Sequence, residues 1–233
     1  MTDQPPTDDP GDVVVVGQRR SEPWQPFPER PTLVRPDPDV AVLPDEETGP
    51  LDPCFNPETA LDWNADAAAA EALRRMIAAA LAQNDPTHNL ANREYGAMIC
   101  QAPNGDLSIS SIRWGDPIFD AEGNWVGYES QPSVDVRLSD CGGGTRPLAM
   151  IHSHPSTGPN GAIPSRPDAS WVAGINNLRG DNLGRIYVVS IGSNVSFRIE
   201  VYDSSNVEAG SESGVPGPEV NPDGQPCPGV SIG

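Results

Sequence analysis

Proline is crowded toward the two ends of this chain, and that placement limits what each part can fold into. Of 27 prolines, thirteen lie in residues 1 to 57 and five in residues 203 to 233, leaving nine for the long stretch between. Proline fixes φ and removes a backbone donor, so helix interiors and central strands exclude it. The periodic apolar residues fall in the same middle stretch, 58 to 202, which has the length of a single domain. The chain therefore reads as one α/β domain between two arms. Residues 1 to 57 form a disordered, acidic, Pro-rich arm, and residues 203 to 233 a disordered Gly/Ser/Pro-rich tail.

Charge narrows the partners. A nucleic-acid binder needs a basic stripe to displace counterions, and a net charge of −19 argues against one. Residues 1 to 52 hold twelve acidic and four basic residues, so much of the excess lies in the arm. All fourteen basic residues are arginine, which leaves no lysine amine that could be conjugated to another protein. No apolar run approaches the ~18 residues of a membrane span. The opening "MTDQPPTDDPGD" has neither a basic n-region nor an apolar h-region, which predicts no Sec export and a cytoplasmic setting, with non-classical export left open. Cys54, Cys100, Cys141 and Cys227 lack CxxC spacing and are expected to remain thiols, with Cys54 and Cys227 able to pair if the protein is exported.

One island interrupts the N-terminal arm. "DVVVVGQRR", residues 12 to 20, is β-prone over Val13 to Val16 and could dock as an edge strand on a partner's sheet. The segment resembles the N-terminal "VVVTG"-like stretches of TonB-dependent receptors. A strand within the chain's own domain is the alternative.

In the middle stretch, Asp62 to Asn84 is rich in helix formers, with Leu73, Met76, Ile77, Ala80 and Leu81 at helical spacing before a stop at "NDP". Short β-prone runs follow at 94 to 100, 107 to 114, 118 to 130 (as a hairpin), 134 to 139 and 146 to 154. A second helix is predicted from Ser165, with Trp171, Val172, Ile175 and Leu178 on one face, and then two strands ending near Tyr202. That order predicts a mixed sheet packed against helices.

The chemistry concentrates in "MIHSHPSTGPNGAIPSRPDAS", residues 150 to 170. Side chains at i and i+2 of a strand emerge on one face, so His152 and His154 project together. Asp168 lies in the first turn of the second helix and can swing back to them. Two imidazoles and a carboxylate, completed by water, make the open tetrahedral arrangement of a catalytic zinc site. Ser165, Pro167 and Asp168 are equally a good helix start without any metal, and an HxH pair alone can be two hydrogen-bonded histidines. His88, Cys100 and Cys141 are further candidates near such a site, with a solvated loop histidine and buried structural thiols as the alternatives.

"HSHP" followed by "SRPD" resembles the signature of the JAMM or MPN-plus family of JAB-domain zinc metalloproteases, in its bacterial JAB-like subgroup. Nine residues, Ser156 to Pro164, separate the two halves, two more than the family's usual spacing. The resemblance covers roughly residues 58 to 202 in element order. It implies a JAB/MPN-like (cytidine deaminase-like) sandwich and a hydrolase that cleaves an isopeptide or peptide bond of a protein or peptide substrate. His152, His154 and Asp168 would hold Zn²⁺, and Ser165 would stabilise the oxyanion. Glu94, in "REYGAMI", would be the general base, preferred to Glu122 or Glu129 of the hairpin. The hairpin with Trp125 and Tyr128 stands where relatives carry substrate-selecting insertions. A JAB-fold binding module without catalysis, attached to a larger assembly or delivered as an effector, is the alternative the family allows.

Overall fold

The computed structural model describes residues 52–85, 88–91, 93–128, 136–157, 161, 163–191 and 196–233. Val13 to Val16 and nearly all of the acidic arm lie outside the described residues, as do Glu129 and residues 134 and 135 of the run expected at 134 to 139.

The Ala-rich segment forms α1 (Pro57–Ala82). It starts five residues before the expected Asp62, because Pro57 supplies a preset φ at the first helical position while the Asn56 carbonyl accepts the Ala60 N–H at 2.7 Å. Leu73, Met76 and Ala80 are buried as the spacing requires, whereas Leu81 is 73% exposed. Four strands follow the helix: β1 (Tyr95–Gln101), β2 (Leu107–Ile109), β3 (Arg113–Trp114) and β4 (Pro117–Phe119). The run at 107 to 114 is thus two strands and not one. The hairpin expected at 118 to 130 is β4 with β5 (Trp125–Tyr128), a separate two-stranded sheet. The described part of the run at 134 to 139 is no strand; Leu138–Asp140 is a 3₁₀ turn.

The rest of the sheet is β6 (Arg146–Thr157), β7 (Arg185–Ile191) and β8 (Phe197–Asp203), with α2 (Arg166–Arg179) crossing between β6 and β7. Strand order is β2-β1-β6-β7-β8, β3 also pairs with β1, and among the described strands only β6 and β7 run parallel. The expected mixed sheet packed against helices is present as an open seven-stranded α/β sheet.

Alternation along the strands sorts the core into two layers. Tyr95, Ala97, Ile99, Ile151, Tyr187 and Val189 pack against the alanines of α1. Met98, Cys100, Met150, Ile186 and Val188 pack against Val172 and Ile175 of α2. Near-continuous apolar runs in β1 and β7 follow from being covered on both faces. Leu178, expected on the inner face of α2, is 60% exposed, and Trp171 is half-buried.

The domain does not end at Tyr202. Residues expected to be tail form α3 (Val207–Ser213) and β9 (Glu219–Val220), which extends the sheet beside β8, with Val207 and Val220 buried. The last residues cross α1 and reach β2. The Trp63 indole donates to the Gln225 carbonyl at 2.7 Å, and the Leu107 and Ile109 N–H groups donate to Ser231 and Gly233 at 3.0 Å. Polar composition is misleading here because the backbone, more than the side chains, makes the contacts. Cysteine pairing adds to this order: Cys54 is bonded to Cys227 and Cys100 to Cys141, each with Cα atoms 5.5 Å apart. The expectation of thiols is corrected on both pairs. The folded unit accordingly starts before residue 58 and runs to Gly233.

Candidate metal centre

His152 and His154 belong to β6, the strand held between β1 and β7. His152 shares its face with Met150 and lies opposite Val188, so the pair projects from the α2 side of the sheet. Ser165 is the N-cap of α2, with Pro167 in the first turn. Asp168 closes a reciprocal capping box, its Oδ2 accepting the Ser165 N–H at 2.6 Å. The cap and the cluster use the same carboxylate. Because the cap pins Asp168 on a rigid turn, Oδ2 faces the two imidazoles.

Three atoms converge as a result. The Nε2 atoms of His152 and His154 are 2.9 Å apart, and Asp168 Oδ2 lies 3.5 Å from the first and 3.9 Å from the second. Ligands about 2.0 to 2.1 Å from a tetrahedral zinc stand roughly 3.3 Å from one another, so the triangle has the size such an ion requires. Asp168 thus reaches the strand although it lies fourteen residues after His154 in the chain.

The electrostatics suit the same occupant. Burial, and then the neighbouring His152, hold the His154 imidazole down at about 4, while Asp168 and a hydrogen bond to the Gly161 backbone oppose the drop. His154 is therefore neutral at pH 7, the form that binds metal. Burial raises Asp168, but His152 and the bonds from Ser165 outweigh it and leave the carboxyl at about 2. The Gly161 contact helps to hold the His154 ring, a role no motif could have signalled because the backbone plays it.

Glu94 directly precedes β1. The β1–β6 ladder ends with Gly96 opposite His152, and alternation puts Glu94, two residues before Gly96, on the same face of the sheet. Its carboxyl is buried, and Oε2 has no hydrogen-bond partner among the described residues. Desolvation first, and the charge on Asp168 second, push Glu94 up to about 9. A buried carboxyl placed against an ionised one is an arrangement that positive charge would relieve. Nδ1 of buried His152 is a further polar atom without a partner among the described residues.

Other candidates fall elsewhere. His88 Nδ1 meets the Tyr95 hydroxyl at 3.1 Å and its ring packs edge-on against Trp114 at 5.6 Å. Tyr95 belongs to the α1-side layer, so His88 lies across the sheet from the cluster. Cys100 and Cys141 form a disulfide and supply no ligand. Glu122 is exposed in the β4–β5 turn. Beside the first turn of α2 runs a groove of about 570 Å³ lined by Leu138, Arg166, Pro167, Ser170, Trp171 and Gly174. No protein-family model, curated protein or solved structure matches the chain.

Proposed function

We propose that the chain is a zinc-dependent hydrolase of the JAMM type, cleaving an isopeptide or peptide bond. The observation that carries this reading is the convergence of His152, His154 and Asp168 on one point, with buried Glu94 on the same face. These three residues would hold Zn²⁺, which when bound supplies a Lewis acid and lowers the pKa of water toward about 7.

The remaining work falls to the chain itself. Glu94, whose Oε2 has no partner among the described residues, would take a proton from the attacking water and pass it to the leaving amine. In the capping box the Ser165 hydroxyl accepts from the Asp168 N–H and itself bonds to the Asp168 carboxylate; turned from that carboxylate, it would donate to a developing oxyanion. The groove between α2 and Leu138 begins at Arg166 and Pro167, next to Asp168, and has room for a peptide segment. Two disulfides favour an oxidising compartment over the cytoplasm.

Elemental analysis after gentle purification tests the metal. Near-stoichiometric zinc that disappears in His152→Ala supports the proposal, and a protein indifferent to zinc sinks it. Glu94→Gln should keep zinc and lose hydrolysis. Zinc binding with no hydrolysis by the unaltered chain would leave the binding-module alternative.

A further inference from the structure

The residue between the two histidines does work of its own. Backbone pairing between β1 and β6 runs from Gln101↔Arg146 to Gly96↔His152 and stops there. One residue further on, where Tyr95 would pair with Ser153, the Tyr95 N–H donates instead to the Ser153 hydroxyl at 2.9 Å, in a buried setting. Ser153 has no exposed surface, and its other neighbour is Val189 of β7. A side-chain oxygen has replaced a backbone carbonyl, so the strands remain tied while leaving regular register. The tie falls between the pair that ends the ladder and Glu94, the residue just before Tyr95. A buried N–H needs an acceptor; alanine at 153 would remove this one and loosen the start of β1.

We propose that Ser153 is a positioning residue: its hydroxyl fixes the Glu94 end of β1 against the histidine-bearing strand. The catalytic consequence rests on the hydrolase reading, whereas the structural one does not. Ser153 points to the α1 side, away from the ligand triangle, so it positions Glu94 without touching the metal ligands' coordinating atoms. Glycine or alanine at 153 would preserve the alternation that pairs the histidines, yet neither could hold the Tyr95 amide. Threonine keeps the hydroxyl and suits a strand.

The test compares the full-length chain with Ser153→Ala and Ser153→Thr. Amide hydrogen exchange is measured with and without zinc, together with zinc content and the kcat and KM of a quenched isopeptide substrate. Ser153→Ala should speed exchange at Tyr95 about tenfold or more while Met98 and Ile99 stay protected, as expected for one lost buried bond. Zinc content should hold. Where the unaltered chain hydrolyses the substrate, kcat should fall about ten- to a hundredfold with KM little changed, and Ser153→Thr should restore both readouts. Tyr95 exchange within about twofold of the unaltered chain would overturn the proposal whether or not hydrolysis is seen. So would an unchanged kcat in an active enzyme. Absence of zinc from the unaltered chain would count against the hydrolase reading, and the exchange result would still decide whether Ser153 holds β1.

Discussion

Replacing Glu94 by glutamine should make the metal-free protein more stable while removing its hydrolytic activity. A carboxyl at 4.5 in the unfolded chain and raised to about 9 in the fold binds more protons when folded. Unfolding then releases protons, so stability falls as pH rises through the window between those values. Each unit above 4.5 costs about 1.4 kcal/mol, or roughly 3 kcal/mol at pH 7 as an upper bound, since relaxation and water penetration reduce the penalty. Glutamine keeps the shape and carries no charge. Urea unfolding of EDTA-treated protein at pH 5, 7 and 9 measures the effect. Glu94→Gln should leave stability at pH 5 within about 1 kcal/mol of the unaltered chain and raise it by 1 to 3 kcal/mol at pH 7. A stabilised variant without hydrolysis is what a residue kept for chemistry at the expense of folding would give. Equal pH slopes in the two proteins would refute the burial argument, and with it the view that Glu94 sits in a low-dielectric site against Asp168.

The other predictions concern the site's frame. Asp168→Ala should abolish zinc retention and also cost about 1 kcal/mol of metal-free stability through the lost cap; chelator competition and melts of the stripped protein separate the two effects. His88→Ala should leave zinc content unchanged, because His88 lies on the opposite face, while losing its bond to Tyr95 and its contact with Trp114 costs about 1 to 2 kcal/mol by urea unfolding. Replacing Cys54 and Cys227 together by serine should cost about 2 to 5 kcal/mol, since the bridge closes a long loop. Hydrogen exchange should then locate the loosening in residues 221 to 233.

Local patterns could be read directly from the residues. The i, i+2 spacing of His152 and His154 places them on one face of any strand, and "SRPD" caps a helix from within four residues. Asp168 could be assigned to both cap and site because one short turn serves both. The two helices and most strands were legible for the same reason, as periodicity and turn residues are properties of neighbours.

Features that depend on residues far apart in sequence were not legible. The element order suggested Glu94, but its place on the face of His152 is set by the β1–β6 register across more than fifty residues. Residues 203 to 233 looked like tail because Gly, Pro and Ser bury little apolar surface. Their order comes from backbone bonds to β2 and α1 and from Cys227, none of which leaves a periodic trace. Cysteine spacing likewise carries no record of which sulfurs meet. By itself the sequence determined which side chains share a face and which turn carries the carboxylate, since covalent geometry settles those over a few residues. Only the tertiary structure decided that the histidines, Asp168 and Glu94 meet at one end of a closed core, because sheet register and packing alone bring distant segments within bonding distance.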